Sequence, residues 1–219
     1  MDFKSLLSFL SRLAKNNNKE WFDANKKEYE SLRKEWIDFA GQMISKVGAF
    51  DPAVAELDPK KCIFRINRDI RFSNDKSPYK NNFGLSLNPG GKNEDFCGYY
   101  LHIQPGNCFI AGGAYMPEPA KLAAIRQEID YNFSAFKKIV LAKDFTNTFG
   151  ALSGDKLVRP PKGYDAENPA IEFLKHKGFI AEQKVSDKDV NSPDFSKMLV
   201  KSFKTMKPLI DFMNEARPE

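Results

Sequence analysis

The sequence predicts an α+β protein, a curved and mainly antiparallel sheet with helices packed on one face. Three observations carry this expectation. Apolar residues at helical spacing fill residues 3–47. Runs that alternate between apolar and polar residues, joined by short turns, fill 60–116. Helical spacing then returns after Pro117. The chain reads as a single domain over 1–219, with N-terminal helices in 1–58, a sheet core in 60–116 and a mostly helical part in 117–219. Its 219 residues are enough to bury a substantial core.

Taken in order, Phe3, Leu6, Leu7, Leu10 and Leu13 share one face of a short amphipathic helix. Asn16-Asn17-Asn18 is a turn, and Asn18 is a good N-cap for a second helix. Phe22, Tyr29, Leu32, Trp36, Ala40, Met43 and Val47 predict that this second helix is one long element. Asp51-Pro52 starts a helical turn, and Asp58-Pro59 is a break. Strands are expected at Phe83–Leu87, Tyr99–Ile103 and Cys108–Tyr115, with turns at Asn88-Pro89-Gly90-Gly91 and Pro105-Gly106-Asn107, which suggests a meander. Gly84, Ser86, Ala111, Gly112 and Gly113 leave room above this sheet, as small residues in strands do where something approaches closely. Helices are expected after Pro119, after Ser134, after Asn168-Pro169 and after Ser192-Pro193, with Pro208 kinking or splitting the last. Short strands are expected at Lys156–Val158 and Phe179–Val185, and Pro160-Pro161 stiffens the loop between Arg159 and Tyr164.

Residues 60–82 stand apart. Cys62, Phe64, Ile66, Ile70 and Phe72 alternate with Arg65, Asn67, Asp69 and Arg71, the pattern of a half-buried strand with a charged outer row. Ile63 and Arg68 break the phase, and an inward Arg68 needs a carboxylate, several carbonyls or a place at the sheet edge. The stretch holds seven positive and two negative side chains, an excess of five that equals the net charge of the whole chain.

Composition narrows the function classes. A net charge of +5 is too small by itself to argue for nucleic acid. Met1-Asp2-Phe3 lacks a basic leader, and no apolar run approaches the roughly 18 residues of a membrane span. Cys62, Cys97 and Cys108 show no paired spacing, which fits reduced thiols and a cytoplasmic location. With two histidines, a His-rich metal site is not expected, and Asp69 with Asp75 is a weak pair for one. Gly112-Gly113 fits neither a dinucleotide fingerprint nor a phosphate-binding loop, and no Gly-x-Ser-x-Gly occurs. The sequence specifies no cofactor and no oligomeric state.

The string Arg65-x-Asn67-Arg68-Asp69-x-Arg71-Phe72, followed by Asp75-x-Ser77-Pro78-Tyr79-Lys80, resembles the signature of the family called domain of unknown function 2461. Trp21-Phe22 with Asn25 and Tyr29, Gly112-Gly113-x-Tyr115-x-Pro117, Arg126-x-x-Ile129 and Pro161-Lys162-Gly163-Tyr164 look like its other blocks. The resemblance spans nearly the whole chain and implies a shared domain, with no activity to carry over. Ala111-Gly112-Gly113 departs from the three-glycine run common in that family.

The candidate site grows out of the charged row. Arg65 and Arg71, with Lys80, present donors suited to phosphate or carboxylate, and Asn67 and Tyr79 would orient such a ligand. Asp69, Asp75 and His102, the last flanked by Tyr100 and Gln104, are the candidates for an acid–base step. The leading expectation is a small anionic ligand, phosphate-bearing or not, with or without catalysis. The alternative is a non-catalytic module that docks a protein or nucleic acid through the same surface. A third reading treats the string as an internal ion network, since exposed ion pairs are ordinary surface features.

Overall fold

A computed structural model describes residues 1–89, 91 and 96–216 of the chain. Helix α1 (Phe3–Lys15) opens on Asp2, whose carboxylate accepts from the Ser5 amide. Asn18 caps α2 (Lys19–Ala24) by accepting from the Trp21 amide, a bond worth about 1 kcal/mol. The expected long helix is therefore two. Asn25, with φ −107° and ψ 12°, leaves helical geometry, and α3 (Lys26–Gly48) begins after it. A 3-10 turn (Pro52–Val54) comes next, and Asp58 caps the single turn α4 (Pro59–Cys62), where only a break was expected.

Three strands form a meander, β1 (Phe83–Leu87), β2 (Gly98–Ile103) and β3 (Cys108–Ala114). Gly90, in the turn expected before β2, lies outside the described residues. Then come α5 (Pro119–Tyr131), α6 (Phe133–Val140), α7 (Lys143–Phe149), α8 (Ile171–Leu174), β4 (Phe179–Val185), α9 (Asp187–Val190) and α10 (Phe195–Glu215). The four strands pair in the order β1-β2-β3-β4 as an open antiparallel sheet, so the α+β class holds. On β2, Tyr99, Leu101 and Ile103 are buried while Tyr100 and His102 are half-buried, the one-sided alternation that the spacing requires.

Several local expectations fail for identifiable reasons. The stretch 62–72 is no regular strand. It ends α4, touches β1 through one bridge at Ile63 and Leu85, and pairs again only where Asn67 meets Tyr79. A bend at Ile66 destroys the two-residue phase, so Ile63 is buried at 5% exposure while Phe72 is 96% exposed. Lys156–Val158 forms a single bridge, Lys156 to His176, rather than a strand. Ser134 lies inside α6, which Asn132 precedes as cap residue. Pro208 does not split α10, whose buried Met206, Leu209, Ile210, Phe212 and Met213 hold the helix on both sides of the proline.

The chain divides into two compact units. The first comprises Met1–Leu87, Tyr100–Ile110 and Lys184–Val200. Its core is aromatic. Phe3 meets Trp36, Phe39 and Phe195 edge-on, and Trp36 donates its indole N–H to the Gly84 carbonyl at 3.4 Å. The second comprises Asn88–Tyr99, Ala111–Gln183 and Lys201–Glu219. Phe136 there packs against Phe173, Phe179 and Phe212. Arg126 ends α8 by donating to the carbonyls of Leu174 and His176, at 2.8 and 2.9 Å.

The room left by small strand residues is filled by the chain itself. A Cβ on Gly84 would meet the Phe64 ring and the Tyr100 hydroxyl, each at 2.9 Å. A Cβ on Gly112 would strike Met206, and one on Gly113 the Phe179 carbonyl.

Candidate functional site

The site is built on residues 66–82 of the first unit. Two backbone bonds close this excursion at its base, Arg68 N–H to Pro78 O at 2.9 Å and Lys80 N–H to Ile66 O at 2.8 Å. Side chains then fix the loop. Asp75 accepts from the Ser77 amide at 2.9 Å, from the Ser77 hydroxyl at 2.6 Å, and from the Arg68 guanidinium. Arg68 also donates to the Ser73 hydroxyl at 3.3 Å. The Ser77 bonds, with Arg68 beside them, hold the Asp75 carboxyl far below the usual carboxylate range. Arg68 thus has the carboxylate partner that its place in the pattern demands.

The other end of the loop is a separate clasp. Asp69 accepts from the Arg71 side chain at 2.7 and 3.0 Å, which lowers the Asp69 pKa and raises that of Arg71. Both groups face solvent, so the clasp adds little stability.

Tyr79 anchors the loop to the helices. Its ring stacks on Phe22 with centroids 4.0 Å apart. The Asn17 side chain grips its backbone twice, accepting from Tyr79 N–H at 3.1 Å and donating to Tyr79 O at 2.9 Å. The amide of Asn17 imitates one rung of a sheet, across a sequence separation of 62 residues.

Between these supports lies a cleft of about 470 Å³. It is lined by Ala14, Asn17, Arg68, Asp75, Ser77, Tyr79, Lys80, Asn81 and Asn82. The Lys80 ammonium stands 5.5 Å over the Phe64 ring. The lining is mostly polar and offers both donors and acceptors.

Asn82 connects this cleft to the outer face of β2. Its amide nitrogen lies 3.5 Å from His102 Nδ1, which is 2.9 Å from the Tyr100 hydroxyl. His102 Nε2 is 3.0 Å from Gln104 Oε1. An amide oxygen only accepts, so Nε2 carries the proton and Nδ1 accepts from Tyr100. The ring stacks on Phe109 at 4.6 Å with planes 11° apart. Burial pushes the His102 pKa down, partly opposed by the bond to Gln104. The group is a neutral imidazole with a fixed tautomer.

Of the residues expected from sequence, Tyr79, Lys80 and Asp75 line the cleft, and His102 adjoins it through Asn82. Arg65, Asn67, Asp69 and Arg71 do not line it. They are exposed, and Arg71 is matched by Asp69 instead of converging with Arg65 on a hollow. The expected convergence needed a continuous strand, which the bend at Ile66 removes. Arg159, Lys162 and Tyr164 belong to the second unit and do not line the cleft. Asn17, Asn81 and Asn82 have no signal in the sequence, because nothing in local spacing pairs Asn17 with Tyr79. Among the described residues no three His, Cys, Asp or Glu side chains cluster closely enough to hold a metal ion, and no helix is long and apolar enough to cross a membrane.

Comparison with known proteins adds one finding. A family model described as "Conserved hypothetical protein (DUF2461)" matches residues 5–212. No curated protein and no solved structure matches the chain.

Proposed function

We propose that this chain, which belongs to the conserved hypothetical family DUF2461, binds a small anionic ligand in the cleft beside Arg68 and Lys80. One observation carries the reading. Two cationic side chains stand in one polar-lined concavity whose walls are fixed by the Asp75 and Asn17 hydrogen bonds. Preformed walls lower the ordering cost of binding. Asp75 leaves part of the Arg68 fork unused, since a guanidinium has five N–H donors. Lys80 supplies a point charge.

For proton transfer, His102 is the fittest of the three expected groups. Asp69 and Asp75 are held as carboxylates by their own hydrogen bonds and are too weakly basic to act near neutral pH. His102 is neutral, oriented by Gln104 and next to a cleft-lining amide.

A second reading has its own support. Phe72 is 96% exposed, Arg71 stands 5.8 Å over its ring, and Arg65 and Lys76 are exposed nearby in sequence. An exposed aromatic among cations suits docking to an acidic protein or nucleic-acid surface.

Calorimetric titration with pyrophosphate at low and moderate salt separates the two. The cleft reading expects saturable one-site binding that weakens only modestly with salt. Absence of pyrophosphate binding, together with oligonucleotide binding that falls steeply with salt, would favour docking.

A further inference from the structure

We infer that the ligand of this cleft is a hydroxyl-rich anion, a phosphorylated or carboxylated sugar or polyol, and not a nucleotide. This deepens the anion-binding reading and rests on it. The walls offer more than charge. Asn81 and Asn82 each present an amide that both donates and accepts, Ser77 adds a hydroxyl, and Asp75 adds carboxylate lone pairs. Such mixed groups match neighbouring hydroxyls, each of which is also a donor and an acceptor. They reward a ligand that carries several hydroxyls and penalise one that leaves them unpaired.

A nucleobase needs a different wall. Flat heterocycles are held by stacking on an aromatic or guanidinium face. The aromatic residue of the lining is Tyr79, which is 7% exposed and already lies face to face with Phe22 at 4.0 Å. The lining therefore offers a base no open aromatic face, while a volume of about 470 Å³ accommodates a sugar phosphate.

Calorimetry on the full chain tests this, with inorganic phosphate, glucose 6-phosphate, ribose 5-phosphate, glycerol 3-phosphate, gluconate and AMP as probes. At least one of the four polyol anions should bind about tenfold or more tighter than both inorganic phosphate and AMP. Asn81→Ala should erase most of that preference, weakening the polyol anion further than inorganic phosphate, and circular dichroism would verify that the variant is folded. If AMP binds as tightly as the best polyol anion, or if no polyol anion exceeds inorganic phosphate, the inference is overturned although the cleft still binds anions. If none of the probes binds, the anion-binding reading fails as well.

Discussion

The two histidines show how environment, not residue type, sets chemistry. His102 is half-buried on a strand face with both ring nitrogens engaged. Long-range ¹⁵N–¹H NMR at pH 7 should find it neutral with the proton on Nε2. A proton on Nδ1, or an imidazolium, would remove the acid–base role proposed for it. His176 is 2% exposed, and its Nδ1 has no partner among the described residues. Desolvation, with the nearby Lys156 charge, pushes its pKa down to about 4. The folded value lies below the ordinary 6.5, so the unfolded chain binds more protons between those limits. Its contribution to stability is therefore complete above pH 6.5 and lost as pH falls toward 4, by up to about 3 kcal/mol. Urea unfolding across that range should show this loss, and His176→Gln should flatten it. An equally steep decline in the variant would assign the effect to other groups. Sequence spacing placed His176 near a helix end but carried no sign of its burial, because burial depends on Phe179 and on the bridge to Lys156.

Among the elements, those with a strong period were legible and those held by side chains were not. The first helix, the three meander strands and β4 can be read from apolar spacing alone. The stretch 62–72 carries an equally strong alternation and still folds as a clasped loop. Arg65, Asn67, Asp69 and Arg71 are all exposed, but not as one face of a strand. Arg68 donates to Asp75 and Ser73, and Arg71 to Asp69. Alternation in hydropathy cannot distinguish a solvated strand face from carboxylates and guanidinium groups that bind each other within the same segment. The strand glycines were legible as close approaches, yet the approaching groups belong to the protein. Gly113 has φ +119°, and a Cβ there would collide with the Phe179 carbonyl. Gly113→Ala should cost more than about 2 kcal/mol in urea unfolding, through strain and a disturbed β3–β4 pairing. A loss under about 0.5 kcal/mol would mean that this backbone conformation is not required.

At the scale of the whole molecule, charge distribution was the most informative sequence feature. The entire net charge is accounted for by 60–82, and the cleft forms within that stretch and the turn at Asn17. What spacing could not supply was the side on which the cations act. A linear reading assigns the anion to Arg65, Arg71 and Lys80, whereas the fold turns the two arginines outward and leaves Lys80 in the concavity with Arg68. The direct test compares pyrophosphate affinity in Lys80→Gln and Arg71→Gln, two changes at side chains that the core does not enclose. The account predicts that Lys80→Gln weakens binding about tenfold or more while Arg71→Gln stays within about twofold of the parent. Loss of binding in Arg71→Gln with Lys80→Gln unaffected would contradict it.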